Sequence, residues 1–234
     1  MTGVAIVVVA RDPRRAKTRL RSALAREHRA ALALAMLDDV VGAAMRTRRP
    51  VLVVTDSRSV AARVRRLGAR ATVVPARGTR AGAAHGLRLA ARGGADAALV
   101  IAADLPFVTA ADLRRVMTAG RRAEVVIVPD GRGSGTNALF VRPPSRITPL
   151  FGSGSLAAHR RAAGSDGRVL RIARLGVDID TPDDLRALQR SADRAGINTR
   201  RALEALASGA APSTQRGSPS PRAARSQIRL PPQR

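Results

Sequence analysis

Short apolar runs alternate along this chain with longer segments rich in alanine, leucine and arginine. The clearest runs are 4–10, 51–55 and 97–102, and β-branched or small apolar residues dominate all three. Strands that are apolar on both faces are typical of a parallel sheet covered by helices on both sides. The alternation of such strands with helical segments therefore predicts an α/β fold, with a mainly parallel sheet and helices on both faces.

The remaining elements continue the alternation. The spacing of apolar residues predicts helices at 26–46, 57–67, 81–91, 109–118 and 156–163. Further strands are predicted at 72–75, 124–129, 138–142 and 176–179. From about residue 208 the chain is rich in proline, serine and arginine, and such a segment buries too little apolar surface to fold. We therefore predict one domain, residues 1–207, followed by a disordered tail, residues 208–234.

Aspartates mark the edge of the predicted sheet where ligands should bind, outside the carboxyl ends of the strands. Asp104 follows a buried strand, where a carboxylate is costly unless it is paired or holds a cation; a turn or helix-capping role is the alternative. Asp178 and Asp180 lie two apart in the last predicted strand, so both should project to one face. A divalent cation would relieve their repulsion, and Mg²⁺ accepts carboxylates together with substrate phosphates. Asp180 also fits a helix start at Pro182.

Basic residues crowd the loop that follows the first strand. Arg11, Lys17 and Arg19 lie there with two further arginines, and Asp56 follows the second strand at the same predicted edge. Such a loop suits a triphosphate, although a solvated turn explains it equally well in an arginine-rich chain. Lys17 is the only lysine of the chain. A compact ammonium and a planar guanidinium are not interchangeable, so a role specific to lysine is one explanation, and a chance leftover of the composition is the other.

Two glycine-rich loops complete the predicted edge. They are 131–137 and 151–155, and both combine glycines with hydroxyl side chains. The second loop opens a predicted helix, and a helix N-terminus is a ready anion site. Each could be an ordinary flexible loop, but two of them in one α/β chain favour phosphate binding. The histidines, His28, His85 and His159, fall in predicted helices without metal-ligand spacing, and we expect them to be structural or exposed.

Composition limits the other classes of function. The absence of cysteine excludes disulfides and thiolate metal sites. No apolar stretch approaches the roughly 20 residues that span a membrane, and the N-terminus lacks signal-peptide features, so we expect a cytoplasmic protein without a membrane partner. The formal net charge of +25 raises nucleic-acid binding, but aromatic residues make up only 1% and arginines are spread over every helical segment. We therefore expect a solvated basic surface and no specific nucleic-acid partner.

Eight motifs resemble, in their order along the chain, one enzyme family. They are AKTRL at 16–20, LALAMLDDV at 32–40, VVTD at 53–56, ADLP at 103–106, PD at 129–130, GTNAL at 135–139, FG at 151–152 with Ser155 and His159, and DIDTPDDL at 178–185. Together they resemble the guanylyltransferases that act on 2-phospho-L-lactate or phosphoenolpyruvate in the biosynthesis of the deazaflavin coenzyme F-420. The resemblance covers about residues 4–190.

The resemblance implies a Rossmann-like nucleotidyltransferase fold, Mg²⁺ as cofactor, GTP as donor and a small phosphorylated three-carbon acid as acceptor. The metal ligands that it implies are Asp104, Asp178 and Asp180. The acceptor-binding residues that it implies are Thr136, Gly152 and Ser155. We assign Lys17 and Asp104 as catalytic residues. The nucleotide-binding residues are expected to be Arg11, Lys17, Arg19 and Asp56. A homo-oligomer is compatible with the sequence, which does not fix the oligomeric state.

The chain departs from the family pattern in two places. Val9 and Arg11 replace a usual proline and lysine, and Thr79 and Arg80 replace a common Leu-Asn pair. These positions line the nucleotide side in related transferases, so they bear on the choice of donor base. Two alternatives remain open: a sugar-nucleotide-type transferase, and a non-catalytic, basic nucleic-acid-binding protein that has kept the fold.

Overall fold

The computed structural model describes residues 3–75 and 78–209, so the predicted tail lies outside the described residues from 210 onward. The strands are β1 (Val4–Ala10), β2 (Val51–Thr55), β3 (Arg70–Val73), β4 (Ala97–Ala102), β5 (Val125–Pro129), β6 (Thr136–Val141) and β7 (Gly167–Val169). The α-helices are α1 (Arg26–Met45), α2 (Arg58–Arg66), α3 (Thr79–Arg92), α4 (Ala110–Ala119), α5 (Ser155–Ala163), α6 (Pro182–Arg190) and α7 (Ile197–Ala207). Within the described part of the chain, no helix combines the length and apolarity needed to cross a membrane.

The strands form one sheet in the order β3-β2-β1-β4-β6-β5-β7. Neighbouring strands pair in parallel except at β6, which is antiparallel to both β4 and β5. The predicted mainly parallel sheet is therefore confirmed. Because β6 runs against the other strands, its first residues, Thr136 and Asn137, lie at the edge where its neighbours have their carboxyl ends. That is the edge at which sheets of this kind bind ligands.

Apolar side chains of β1 point alternately to two buried layers. Ile6 and Val8 pack in a cluster with α1, α2 and α4, whereas Val7 and Val9 pack in a second cluster with α3 and α5. Full burial of such a side chain stabilises the fold by about 1.5–3 kcal/mol. The helices accordingly cover both faces of the sheet, as the sequence predicts.

A third buried cluster joins the beginning and the end of the domain. It contains Leu20 and Ile179 together with apolar residues of α1, α6 and α7. Asp39 of α1 accepts the backbone N–H groups of Asn198, at 3.1 Å, and Thr199, at 2.8 Å. Both groups lie in the first turn of α7 and have no partner within that helix. The carboxylate thus caps α7 from another helix and fixes it against α1.

The predicted strand 176–179 is wrong. This segment has no regular secondary structure, and the last strand of the sheet is β7, which pairs with β5. Ile179 is fully buried in the third cluster, whereas Val177 is 36% exposed. Packing against the final helices therefore decides the position of this segment, and no strand partner holds Asp178 and Asp180.

Candidate active site

Lys17 lies among acidic side chains at the ligand-binding edge. Its Nζ donates hydrogen bonds to Asp104 and, at 2.9 Å, to Oδ1 of Asp180. The side chain is only 6% exposed, and burial alone would disfavour its charge. Burial is the largest influence on the pKa of Lys17, but the two carboxylates together outweigh it and raise that pKa above its ordinary value. Lys17 is therefore charged and neutralises part of the surrounding negative charge.

The backbone turns sharply at Lys17 to bring the ammonium to this position. The residue has φ 55° and ψ 37°, in the left-handed region that side chains other than glycine rarely adopt. A single-turn 3-10 helix follows at once and buries Leu20 in the third cluster. Such backbone strain persists where the surrounding structure fixes it, and it is frequent at functional sites.

Asp178 lies close to the other carboxylates. Its Oδ1 accepts a hydrogen bond of 3.2 Å from Asn137 Nδ2, which also donates to the carbonyl of Leu175 at 3.0 Å. Burial first, and then the negative charge of Asp104, raise the pKa of Asp178 above its ordinary value. Asp178 and Asp104 are therefore within electrostatic range of each other. We call Lys17, Asp104, Asp178 and Asp180 the carboxylate half of the site.

The donor set of the carboxylate half suits a divalent cation. Mg²⁺ prefers oxygen ligands and combines a few carboxylates with water and substrate oxygens. Lys17 pairs with Asp104 and Asp180, and Asp178 adds a third carboxylate near them, so the local charge is negative. Among residues 3–75 and 78–209, however, no three acidic or histidine side chains are grouped closely enough to hold a metal ion. The ammonium of Lys17 lies between Asp104 and Asp180 instead. The carboxylate oxygens of these aspartates are the kind of ligand that Mg²⁺ prefers. In this structure, Asp104 and Asp180 are held by hydrogen bonds from Lys17.

Neutral donors form a second group, which we call the hydroxyl half: Thr136, Ser155 and His159. Nδ1 of His159 is 3.0 Å from Thr136 Oγ1, and its Nε2 is 2.7 Å from the backbone nitrogen of Leu150. His159 is fully buried, and burial followed by the positive charge of Arg80 lowers its pKa to about 4. The buried Oγ of Ser155 has no hydrogen-bond partner among the described residues.

The loop before α5 lies next to the hydroxyl half. Gly152 has φ 129°, a conformation open to glycine, and its carbonyl accepts the N–H of Ser155 at 3.2 Å. Gly154 precedes the helix without a side-chain cap, and the N–H of Leu156 donates to the carbonyl of Ser134. The structure thus brings Thr136, Gly152 and Ser155 to one region, as the sequence predicts.

One loop, residues 130–135, connects the two halves. The carbonyl of Ser134 accepts the N–H of Leu156 at 3.1 Å, which ties the loop to α5. Arg132 donates to both carboxylate oxygens of Asp184, at 3.0 and 2.8 Å, which ties the loop to the start of α6. The two halves are therefore held in a common frame.

The residues expected on the nucleotide side are less closely joined. Asp56 accepts the backbone N–H of Asp12 at 2.6 Å and so holds the loop after β1. Arg11 and Arg19 are exposed, and neither forms an ion pair within the described part of the chain. Asp56 therefore stabilises the loop after β1 at the ligand-binding edge, and both arginines are exposed to solvent.

Comparison with known proteins identifies the family of this chain. The model of the family described as guanylyl transferase CofC like matches residues 4–206. This chain belongs to the CofC-like guanylyl transferase family. The phosphoenolpyruvate guanylyltransferase of Sphaerobacter thermophilus is 39% identical over 193 residues, which cover 80% of this chain and 93% of that protein. The 3-phospho-D-glycerate guanylyltransferase of Colwellia psychrerythraea is 31% identical over 188 residues, which cover 78% and 90% of the two chains.

Solved structures confirm the fold of this CofC-like guanylyl transferase. A protein of Desulfovibrio desulfuricans G20 described as a nucleotide-diphospho-sugar transferase superposes with a TM-score of 0.72 at 16% identity, covering 88% of this chain and 96% of the other. CMP:2-keto-3-deoxy-manno-octonic acid synthetase, solved with CTP, gives a TM-score of 0.56 at 16% identity and covers 81% and 99%. At these identities the likeness concerns the fold alone. The predicted Rossmann-like nucleotidyltransferase fold is thereby confirmed.

The sequence assigns no site role to two residues that contact the candidate site: Asn137, which contacts Asp178, and His159, which contacts Thr136. Asn137 stands inside the GTNAL motif, directly after Thr136, and its position there is the available signal. His159 is expected to be structural or exposed, and its full burial confirms the structural interpretation. Because His159 also contacts Thr136, it belongs to the hydroxyl half as well. Nothing in helical spacing alone shows that contact, because the partners belong to different elements.

Proposed function

We propose that this protein transfers the GMP part of GTP to a small phosphorylated three-carbon acid and releases pyrophosphate, in the biosynthesis of coenzyme F-420. The acceptor is phosphoenolpyruvate or a close relative such as 2-phospho-L-lactate. The observation that carries the proposal is the carboxylate half, in which one buried ammonium is held by Asp104 and Asp180 at the ligand-binding edge, with Asp178 near these carboxylates. The names of the relatives, which include phosphoenolpyruvate and 3-phospho-D-glycerate guanylyltransferases, support an acceptor of this class.

Asp104, Asp178 and Asp180 are the residues that would hold Mg²⁺. When bound there, the ion would neutralise charge on the phosphate oxygens that react. The Lys17 ammonium has three N–H donors and gives one each to Asp104 and Asp180, so one is left for an oxygen of the triphosphate. Asp178 is kept in place by Asn137. The charged residues of this half therefore serve the donor and the transferred phosphoryl group.

Thr136, Gly152 and Ser155 suit the acceptor acid. The Ser155 hydroxyl has a proton without a partner among the described residues, and Thr136 lies at the same edge, in contact with His159 of α5. Neutral donors of this kind bind carboxylate or phosphate oxygens and add no charge of their own. The hydroxyl half therefore positions the acceptor beside the carboxylate half.

The reaction needs no general base on the protein. The second pKa of a phosphate monoester is about 6, so the acceptor phosphate is largely ionised at neutral pH. One of its oxygens attacks the α-phosphorus of GTP and forms a new P–O bond. The bond from the α-phosphorus to the oxygen that bridges to the β-phosphorus breaks, and its electron pair leaves with pyrophosphate. The protein aligns the two phosphates, and Lys17 stabilises the negative charge that develops on the leaving group.

Pyrophosphate release tests the proposal. The purified protein is given GTP and Mg²⁺ with phosphoenolpyruvate, 2-phospho-L-lactate or 3-phosphoglycerate in parallel, and each reaction is repeated with ATP and CTP. We expect release with GTP and one preferred acid, and none without an acid. Removal of divalent ions with a chelator should stop the reaction, and added Mg²⁺ should restore it. We place the reaction in the cytoplasm, where its phosphorylated substrates are found.

Two outcomes would contradict the proposal. Faster release with CTP or ATP would show that Arg11 and Arg80 accompany a different donor base. If the folded protein released no pyrophosphate with any donor and acid, the transferase assignment would be wrong. Salt-sensitive binding to unrelated DNA would then favour the nucleic-acid-binding alternative.

A further inference from the structure

His159 uses both of its ring nitrogens within the protein. Nε2 lies 2.7 Å from the backbone nitrogen of Leu150, and Nδ1 lies 3.0 Å from Oγ1 of Thr136. A peptide N–H can only donate, so Nε2 has to be the unprotonated acceptor. In a neutral imidazole the proton is then on Nδ1. The pKa of about 4 keeps the ring neutral at physiological pH. His159 therefore donates from Nδ1 to the hydroxyl oxygen of Thr136.

This hydrogen bond decides what the Thr136 hydroxyl can do. A hydroxyl oxygen that accepts from a fixed donor keeps its own proton for another partner. Thr136 is 7% exposed and stands at the first position of β6, at the ligand-binding edge. Its proton is therefore available for a group that enters the site at that edge.

Ser155 gives independent support for a ligand at the same place. It lies four residues before His159 in α5, and residues at this spacing share one face of a helix. Its Oγ is buried and has no hydrogen-bond partner among the described residues. A buried donor without a partner is costly, and an anionic ligand would accept its proton. Two hydroxyl protons thus remain for an acceptor on this side of α5.

We propose that His159 is a positioning residue that fixes the Thr136 hydroxyl as a donor to the anionic group of the acceptor acid. His159 does not touch the acid itself; it acts through Thr136. This role rests on the proposed function, and it adds a residue that determines affinity for the acceptor but not for GTP.

Steady-state kinetics of two substitutions test the role. His159→Leu removes the Nδ1 donor, whereas His159→Asn retains an N–H donor close to the position of Nδ1. We expect His159→Leu to raise KM for the acceptor acid about tenfold or more, the effect of losing one hydrogen bond to a charged group, while KM for GTP stays within about twofold. His159→Asn should recover most of the affinity. His28→Ala, on α1, is the matched control and should leave both constants unchanged.

A double-substitution cycle separates positioning from general packing. Because His159 acts through the Thr136 hydroxyl, adding His159→Leu to Thr136→Val should raise KM for the acid little further. Independent, additive increases would overturn the inference. So would equal increases in KM for the acid and for GTP, or a failure of His159→Asn to restore acceptor affinity while that variant remains folded.

The tautomer of His159 is measured without turnover. The ¹⁵N signals of its imidazole in the full-length protein should show a protonated Nδ1 and an unprotonated Nε2 at neutral pH. The opposite tautomer, or an imidazolium, would overturn the inference even in an active enzyme. If the unmodified protein turned over no acid, the proposed function and this role of His159 would both fall, although the expected tautomer would still establish the hydrogen bond. Turnover of the acid by a protein with the opposite His159 tautomer would overturn the role of His159 and leave the proposed function in place.

Discussion

The two halves of the site meet negatively charged substrates with different chemistry. The carboxylate half carries charges, and its Asp180 side chain is 40% exposed. The hydroxyl half carries neutral donors, and His159 and Ser155 are almost completely buried. The first half takes residues from distant parts of the chain, whereas the second uses β6 and the nearby α5. The charge of Lys17, which is only 6% exposed, is stabilised by Asp104 and Asp180, while the neutral hydrogen bonds of the hydroxyl half gain from exclusion of water.

The largest expected effect is at Asp178, in the carboxylate half. Asp178→Ala removes a proposed metal ligand and the partner of Asn137, so turnover should fall roughly a thousandfold or more, since metal binding contributes several kcal/mol to stabilisation of transferred charge. The fold should persist because Asp178 lies outside the three buried clusters. Pyrophosphate release and circular dichroism measure the two effects. Normal turnover in the folded variant would remove Asp178 from the metal site.

A smaller loss is expected at Lys17. Lys17→Met removes the ammonium and should lower turnover by about a hundredfold, the order expected for one preorganised donor to developing charge. Lys17→Arg should not restore activity, because a planar guanidinium does not fit the position of a compact ammonium that is 6% exposed. Arg15→Met, an exposed change in the same loop, is the control. Full activity of Lys17→Arg would show that any positive charge suffices.

The hydroxyl half should make the protein sensitive to acid. Because burial and Arg80 lower the pKa of His159 from 6.5 to about 4, the unfolded chain takes up the proton first. The stability that neutral His159 contributes is therefore complete above about pH 6.5 and is lost as the pH falls toward 4. Urea unfolding at several pH values should show a steeper decline for the unmodified protein than for His159→Phe. His28→Ala should follow the unmodified protein; equal declines in all three would exclude His159 as the cause.

The smallest effect is expected where the connecting loop meets α6. Arg132 is 51% exposed, so Arg132→Ala should cost less than about 1 kcal/mol of unfolding free energy. Asp184→Ala should cost more, about 1 kcal/mol or above, because Asp184 also accepts the N–H groups of Asp180 and Thr181. Urea midpoints of the two variants give the comparison. A greater loss for Arg132→Ala would mean that the ion pair, and not the cap, holds the loop.

The sequence predicts the framework of the site better than its contacts. The bounds of β1, β2 and β4 agree with the predicted strands, because long β-branched runs leave few alternatives. The strand expected at 176–179 is absent because Ile179 packs with the final helices, a tertiary contact that alternating polarity cannot reveal. The reversal of β6 is equally hidden, since a fully buried strand has the same apolar pattern in either direction. Asp104 and Lys17 are predicted from position and residue type, but their ion pair joins residues far apart in the chain.

The reversed β6 has a consequence for how this enzyme can change. Thr136 contacts His159 on one side of the sheet, and Asn137 contacts Asp178 on the other. Regular alternation does not hold here, because Val128 pairs with Ala138 and Pro129 with Thr136, which leaves Asn137 as an extra residue of β6. This irregularity and the two contacts fall on the same three residues of β6. We therefore expect insertions in the connecting loop to be tolerated only where they leave the alignment of β6 intact, because a change of alignment would disturb both contacts at once.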